Sequence, residues 1–398
     1  MLIDRKASPS NPAPLKVAIV HHWFVTLRGA ERVIKSLLRL FPRADIYTLF
    51  FDESVCGSLL AGHRVFTSAL DTRYLRPHYQ KLFPLYPLGI GSLRLRGQYD
   101  LILSSESGPA KGIANSCGAP HLCYINTPMR YCWGFTQDYL RAMPRPVWPA
   151  ARLAFAALRR WDLKTVDNVD RYVANSKNVR DRVRRFYGRD AAVVPSPIPL
   201  DLFSAENLVQ VPPRDRVYYL SFGAITPYKN IGLLVDVFNS NGRELVIVGE
   251  GSERRRLMAR AKPNIRFTGA LPWGEVRRYI LGAKALLFPG EEDFGLVPLE
   301  VMAHGVPVIA LGRGGALETV IEDRELPLES SGLFFHEASR AGLQNAIDSF
   351  EQIADHFDPL WIQSHVRQFG EDIFLQRMEE EIVTLLNSRI RNRDRTSI

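Results

Sequence analysis

The segment 289–310 carries the densest chemical signal in the sequence. It reads PGEEDFGLVPLEVMAHGVPVIA, and its Glu292 and Glu300 have seven residues between them. A helix is predicted to begin near Leu296 or Val297, and the N–H groups at its start could hold a diphosphate without a metal. A buried carboxylate about one turn into that helix could accept both hydroxyls of a ribose. A capped helix with a surface acid in front of it explains the same residues.

Two strand-to-helix loops hold further candidates. Lys229 lies in GAITPYKN, where Pro227 stiffens the turn. A cation there could neutralise a leaving phosphate, although an exposed lysine is more often simply solvated. Gly29, in LRGAER, would let the backbone approach a phosphate closely, or would merely form a turn. The segment Gly249-Glu250-Gly251 lacks the third glycine of a dinucleotide fingerprint, and we interpret it as a turn that ends a strand.

Both halves of the chain begin with the pattern of a buried strand, a loop and a helix. In the first half VAIV leads through HHWFVTLRGAE to apolar residues at helical spacing, and in the second YYLSF leads through GAITPYKN. Strand-like runs and helical patterns then alternate in each half. This alternation predicts an α/β protein with two doubly wound, Rossmann-like domains that face each other across a central cleft, where the chemistry would take place.

Proline-rich residues at 197–215 indicate a linker between the domains. We therefore expect an N-terminal domain at 16–200 and a C-terminal domain at 201–373. A helix and basic tail at 374–398 are expected to pack back on the N-terminal domain. Residues 1–15 lack the apolar core of a signal peptide and are expected to form a disordered lead-in.

The composition of the 398 residues is that of an ordinary globular protein, with 46% hydrophobic and 23% charged residues. Four cysteines without a C-x-x-C pair support neither a structural zinc site nor a disulfide framework, and they favour a reducing, cytoplasmic setting. No run of about 18 uncharged apolar residues predicts a transmembrane helix. Any contact with a membrane is therefore expected to be peripheral.

The positive charge belongs to one half of the chain: residues 1–200 carry a net +15 and residues 201–398 a net −6. A nucleic-acid binder, a protein at an anionic membrane face and a merely solvated basic surface are all compatible with this asymmetry. Without a helix-turn-helix, zinc or RNA-recognition signature, we expect no nucleic-acid partner.

Basic and aromatic residues at 73–96 and 141–160 favour contact with anionic lipid headgroups. In the second segment, three apolar and three basic side chains would lie on the lipid side: Trp148, Phe155, Leu158, Arg152, Arg159 and Arg160. An ordinary helix explains that segment equally, with a core face made of four residues: Trp148, Leu153, Ala157 and Trp161.

Taken together, these motifs resemble the retaining glycosyltransferases of family four, which have the two-domain GT-B fold. The resemblance implies that the N-terminal domain at 16–200 lies on the acceptor side and that the C-terminal domain at 201–373 binds the donor nucleotide. The resemblance covers roughly 16–386 and is most specific in EEDFGLVPLEVMAHGVPVIA and the following GRGGALE. It implies that Glu292 approaches the donor sugar, that Glu300 binds the nucleotide ribose, and that Lys229 compensates the diphosphate, which Gly29 also faces. It further implies that four loop residues meet the sugar and phosphate: Phe294, Gly295, Leu296 and Val297.

The N-terminal half is similar to bacterial mannosyltransferases of polysaccharide and O-antigen assembly, particularly in CYINTPMRYCWGFTQDYL. This resemblance implies GDP-mannose as donor, a glycan or lipid-pyrophosphate-linked acceptor, and no cofactor or metal. It also implies an enzyme in the cytoplasm or at the inner face of the cell membrane. Asn126 and Arg130 occupy its donor-contact positions.

Three residues depart from the family pattern. Asn126 replaces a histidine, and an amide cannot act as a general base. Ala224 replaces an arginine that commonly accompanies the lysine at 229, and Arg28 replaces one glycine of a Gly-Gly pair. An enzyme whose leaving diphosphate accepts the acceptor's proton tolerates these changes. A catalytically weakened nucleotide-sugar-binding protein is the alternative.

Overall fold

The computed structural model of the protein describes residues 15–27, 29–141 and 143–396, the side chains of 138 and 390–396 excepted. Residues 1–14 of the expected lead-in, Arg28 and most of the basic tail side chains therefore lie outside the described part. The chain forms two compact units, one from the residues up to Pro197 together with those from Asp372 onward, the other from Ile198–Glu371. The sequence analysis placed these boundaries after residues 200 and 373.

The first unit is a parallel sheet of seven strands in the order β3-β2-β1-β4-β5-β6-β7. Its strands are β1 to β7: Val17–His21, Asp45–Thr48, Val65–Thr67, Leu101–Glu106, His121–Ile125, Arg171–Ala174 and Ala191–Val193. Its helices are α1 to α6: Gly29–Leu40, Glu53–Cys56, Tyr86–Ser92, Thr136–Arg141, Trp148–Lys164 and Lys177–Tyr187. The central strands β1, β4 and β5 are buried along their whole length, as expected for a parallel sheet covered on both faces.

The second unit is a parallel sheet of six strands in the order β10-β9-β8-β11-β12-β13. Its strands are β8 to β13: Tyr218–Phe222, Glu244–Val248, Ile265–Gly269, Ala283–Phe288, Val308–Leu311 and Gly332–Phe335. Its helices are α7 to α13: Ile231–Asn241, Arg254–Met258, Trp273–Leu281, Leu296–Met302, Ala316–Thr319, Arg340–Ile353 and Pro359–Val366. The predicted α/β fold with two doubly wound parallel sheets is thus confirmed.

The last helix, α14 (Glu371–Thr396), joins the core of the first unit. Its apolar side chains recur at helical spacing and are buried in that core: Phe374, Met378, Ile382 and Leu385. The Phe374 ring meets the Tyr124 ring edge-on, with 5.6 Å between centroids. An ion pair between Arg171 and Glu381 adds a polar contact at the start of β6.

Helix α5 turns a different face to the core than either sequence interpretation expected. Phe155 and Leu158 are buried, each 2% exposed, so they do not lie on an outer face. Arg159 is exposed, and its guanidinium donates to the Cys132 carbonyl oxygen of the same unit. Leu153, which the core interpretation required, is 73% exposed. The segment LAFAALRRWDL is apolar on most sides, so its periodicity does not choose a face.

The strand order of each sheet reverses at one place, between β1 and β4 in the first unit and between β8 and β11 in the second. In open parallel sheets, ligands bind beyond the carboxyl ends of the strands at such switch points. The loops that follow these four strands are therefore where a site is expected. None of the described helices has the length and apolarity needed to cross a bilayer.

Candidate active site

Lys229 and Glu292 meet at the switch point of the second unit. Lys229 ends a short 3₁₀ turn, Pro227–Lys229, in the loop after β8, and Glu292 lies in the loop after β11. The Nζ atom of Lys229 pairs with Oε1 of Glu292, and the two side chains are only 15% and 14% exposed. The sequence named both residues as candidates, and the structure places them in direct contact.

Because Gly290 is a glycine, the loop after β11 can pack directly against the loop after β8. A Cβ atom at this position would lie 2.8 Å from the Lys229 Cα atom and 2.9 Å from the Tyr228 carbonyl oxygen. Both neighbours are backbone atoms, so they cannot swing away as a side chain could. The Lys229 Nζ atom also lies 5.6 Å from the centre of the Phe288 ring, close enough for a cation–π contact.

The glycines of GRGGALE pack against the backbone of the loop that carries Glu292. The Gly315 N–H donates to the Glu292 carbonyl oxygen at 2.8 Å. A Cβ atom on Gly315 would lie 2.3 Å from the Phe294 Cα atom, and Gly314 adopts a left-handed φ of +61°. The backbone at residues 292–294 is therefore packed against a loop whose close approach and left-handed turn favour glycine.

Helix α10 begins at Leu296, as the sequence predicted, directly after Gly295 with its φ of +92°. Within the helix Glu300 is only 3% exposed, and Phe294 in front of it is 4% exposed. His304 Nδ1 lies 2.7 Å from the Glu300 carbonyl oxygen. Burial lowers the pKa of His304 to about 4, so its ring is neutral near pH 7 and its Nδ1–H donates to that oxygen.

The turn at Gly249–Gly251 braces the loop that carries Lys229. The Gly223 N–H donates to the Val248 carbonyl oxygen, and the Ile225 N–H donates to that of Glu250, both at 2.9 Å. A Cβ atom on Gly249 would lie 1.8 Å from the Gly223 carbonyl oxygen. These glycines therefore permit close loop packing, in agreement with their interpretation as a turn.

The remaining sequence candidates lie at the carboxyl edge of the first unit's sheet. Gly29 begins α1. Asn126 follows β5; its backbone N–H donates to the Glu106 carbonyl oxygen at 2.8 Å, and its Nδ2 donates to Ser105 Oγ at 3.3 Å. The Arg130 guanidinium lies 5.6 Å from the centre of the Phe135 ring. Gly29, Asn126 and Arg130 thus lie in the first unit. Lys229, Glu292 and Glu300 lie in the second.

The sequence analysis missed a group of buried polar residues beside Asn126. His22 follows β1 and Glu106 ends β4; both are buried, and burial raises the pKa of Glu106 to about 8. The Glu106 carboxyl accepts the Lys111 backbone N–H at 2.7 Å. The Lys111 ammonium is fully buried and ion-paired with Asp162. Polar residues directly after two apolar runs, HH after VAIV and SSES after LIL, were the available signal.

Comparison with known proteins gives two family models that together match most of the chain. Glycosyltransferase Family 4 matches residues 27–202, and Glycosyl transferases group 1 matches residues 206–356. A GDP-mannose-dependent alpha-mannosyltransferase of Mycobacterium tuberculosis is 35% identical over 115 residues, covering 29% of this chain and 30% of that protein. A GDP-mannose-dependent monoacylated alpha-(1-6)-phosphatidylinositol monomannoside mannosyltransferase of Corynebacterium glutamicum is 36% identical over 99 residues, covering 22% and 26%. The chain spans less than a third of these relatives' length.

Solved structures share the fold over nearly the whole chain. Sucrose-phosphate synthase of Thermosynechococcus elongatus superposes with a TM-score of 0.70 at 17% identity, covering 94% of this chain and 100% of that one. HepE of Anabaena, in complex with UDP, superposes with a TM-score of 0.65 at 16% identity, covering 93% and 100%. At these identities the likeness establishes the architecture.

If Glu300 holds the ribose, Glu300→Ala should weaken GDP binding by roughly 10- to 100-fold. The substitution removes a buried carboxylate whose hydrogen bonds contribute ~1.5–3 kcal/mol. Titration calorimetry with GDP alone measures the change, with Glu291→Ala in the preceding loop as the matched control because Glu291 is exposed. Unchanged affinity in a folded Glu300→Ala protein would remove this residue from the ribose role.

Proposed function

The chain is a glycosyltransferase of the family 4 type with the GT-B fold, and we propose that it transfers mannose from GDP-mannose with retention of configuration. The acceptor would be a glycan or a lipid-pyrophosphate-linked oligosaccharide in polysaccharide biosynthesis. The observation that carries this proposal is the contact of Lys229 with Glu292 at the switch point. The GDP-mannose dependence named for two relatives supports the choice of donor.

The donor diphosphate would take the place of Glu292 beside Lys229. A largely buried ammonium paired with a carboxylate can exchange that partner for a phosphate without becoming an isolated buried charge. Glu292 would then be free to accept hydrogen bonds from the hydroxyls of the donor sugar. Backbone N–H groups at Gly295 and Leu296 would add donors to the phosphate oxygens, so that no metal ion is required.

The transfer itself would proceed on one face of the donor sugar. The bond between the anomeric carbon and the diphosphate oxygen breaks while the acceptor oxygen bonds to the same carbon from the same side. The acceptor's hydroxyl proton passes to the departing diphosphate oxygen, so no protein base is needed. The protein contributes orientation and stabilises the charge that develops on the diphosphate. This route is compatible with an amide at Asn126.

A donor screen tests the proposal directly. The purified chain is incubated with GDP-, UDP- and ADP-sugars and a panel of glycan acceptors, and the released nucleoside diphosphate and the glycoside product are quantified. We expect turnover with GDP-mannose and a product of α configuration. Turnover with a UDP- or ADP-sugar in its place, or a β-linked product, would contradict the proposal.

Lys229→Ala should lower kcat by about 10²–10³, because charge stabilisation of the leaving diphosphate is lost. Ala224 stands where the family commonly has an arginine and cannot compensate. Lys284→Ala is the matched control, since Lys284 belongs to the same unit and pairs with Glu351 at 3.1 Å instead. A loss below about tenfold, or ~1.4 kcal/mol of barrier, would show that the leaving charge is stabilised elsewhere.

The alternative of a weakened nucleotide-sugar-binding protein rests on Asn126, which lacks the imidazole of the family pattern. Restoring it by Asn126→His distinguishes the two. If the chain is an active enzyme, steady-state transfer should change by only a few-fold in either direction. If activity was lost at this position, the wild type should be inactive and the variant should gain activity from none.

We further propose that the protein is cytoplasmic and that it attaches peripherally to the inner face of the cell membrane through α5. On the outward face of this helix the exposed residues Leu153 and Ala157 are followed, on the same stripe, by the exposed residues Arg160 and Lys164, and Arg152 is exposed beside them. The one acidic residue of the helix, Asp162, is buried. Such a surface suits an anionic lipid headgroup region.

Co-sedimentation with liposomes tests this attachment. Binding should be stronger to anionic than to neutral liposomes, should weaken from ~0.1 M toward ~1 M salt, and should fall on Arg160→Glu. Arg184→Glu on α6 is the control, because Arg184 is also exposed but lies on another helix, where it pairs with the exposed Asp190 at 2.9 Å. Equal binding to both lipid types, or equal binding by both variants, would exclude this surface.

A further inference from the structure

Asp162 is fully buried, and its carboxylate joins four elements of the first unit. The Lys111 ammonium, in the 3₁₀ turn that follows β4, pairs with Oδ1. The Trp133 indole N–H, in the loop after β5, donates to Oδ2 at 2.6 Å. The Tyr187 hydroxyl, at the end of α6, donates to the same Oδ2 atom at 2.9 Å. A single side chain of α5 therefore binds donors from three other parts of the chain.

The stability of the unit does not account for this buried charge. A buried ion pair gains little over apolar residues of the same volume, because both charges lose their water. Elsewhere the inner face of α5 is apolar, with Phe155 and Leu158 buried. A carboxylate differs from an apolar side chain because it also fixes the direction of every donor it accepts from. Asp162 thus restricts the positions of the side chains that donate to it.

Of the three donors, Trp133 lies on the loop that also carries candidate site residues. The Met129 carbonyl oxygen accepts the N–H groups of Cys132 and Trp133, both at 2.9 Å, and these bonds close a turn at 129–133. Arg130 lies within this turn. The residues that close the turn therefore set the position of the Arg130 backbone.

Two arginines hold the backbone of the same turn. Arg159 of α5 donates to the Cys132 carbonyl oxygen through Nε at 3.1 Å and Nη2 at 2.6 Å. Arg182 of α6 donates to the Trp133 carbonyl oxygen at 3.1 Å. Asp162 adds the contact that fixes the Trp133 ring. Charged groups on two helices thus hold both the backbone and the side chain at the end of the turn.

We propose that Asp162 is a positioning residue for glycosyl transfer: through Trp133 its carboxylate holds the turn at 129–133 and so orients Arg130. This inference rests on the glycosyl-transfer function proposed above, in which Arg130 has a donor-contact position. Asp162 itself touches no substrate and acts by fixing a residue that does. The proposed contacts to the diphosphate and the ribose all lie in the second unit. Loss of the anchor should therefore slow transfer without weakening GDP binding.

Two single substitutions separate positioning from ordinary stabilisation. Asp162→Ala would leave the Lys111 ammonium unpaired in the core, so the donors are changed instead. Trp133→Phe removes the indole N–H and keeps an aromatic ring. Tyr187→Phe is the matched control, because it removes one hydrogen bond to the same Oδ2 atom from a donor that lies outside the turn. A purely structural role of Asp162 predicts the same behaviour for both variants.

Hydrogen exchange of the full chain measures the turn, and steady-state transfer from GDP-mannose measures the consequence. In Trp133→Phe we expect the amides at 129–135 to exchange about tenfold faster, because one anchor of the turn is lost. We expect kcat to fall about tenfold, with the donor KM and the GDP affinity within about twofold of the wild type. In Tyr187→Phe the exchange at 129–135 and kcat should both stay within about twofold of the wild type.

Unchanged exchange at 129–135 in Trp133→Phe would overturn the inference, as would an unchanged kcat in that variant or an equal fall of kcat in both variants. Absence of turnover in the wild type would contradict the proposed function instead. Hydrogen exchange would then decide by itself whether Asp162 holds the turn, since it requires no activity.

Discussion

The contact between Lys229 and Glu292 depends on two loops that follow different strands and must approach until their backbones touch. That approach is possible only because Gly290 has no side chain, since a Cβ atom there would overlap the backbone of Lys229. The Gly315 N–H and the left-handed Gly314 hold the Glu292 loop from the other side. The ion pair is therefore positioned by backbone packing, and the proposed exchange of Glu292 for a donor phosphate requires only side-chain movement.

The two units use buried charge in different ways. In the second unit Lys229 and Glu292 are partly accessible, so a phosphate can replace the carboxylate. In the first unit Lys111 and Asp162 are fully buried, and removing either would leave an unpaired charge in the core. The first pair suits the handling of a charged substrate. The second lies in the core beside Glu106, whose carboxyl accepts the Lys111 backbone N–H.

Local patterns were sufficient to predict the architecture and the start of α10. Buried strands alternated with helical periodicity in each half, and Gly295 preceded an apolar run at helical spacing, so both signals lay within a few neighbouring residues. The contact of Lys229 with Glu292 joins residues 63 positions apart, and only the strand order brings them together. Glu106 was missed for the same reason, because its burial depends on β1 and β5 on either side of β4. The prediction of which face of α5 is buried was wrong, because the sequence of this helix is apolar on most sides.

The central claim is that the donor diphosphate replaces Glu292 as the partner of Lys229. Titration calorimetry of GDP with Glu292→Gln measures this most directly, because the substitution removes the competing negative charge and keeps the size of the side chain. The account predicts that GDP binds the variant ~2–5-fold more tightly than the wild type, the change expected from releasing a partly exposed ion pair. Equal or weaker binding of GDP by a folded Glu292→Gln protein would contradict it.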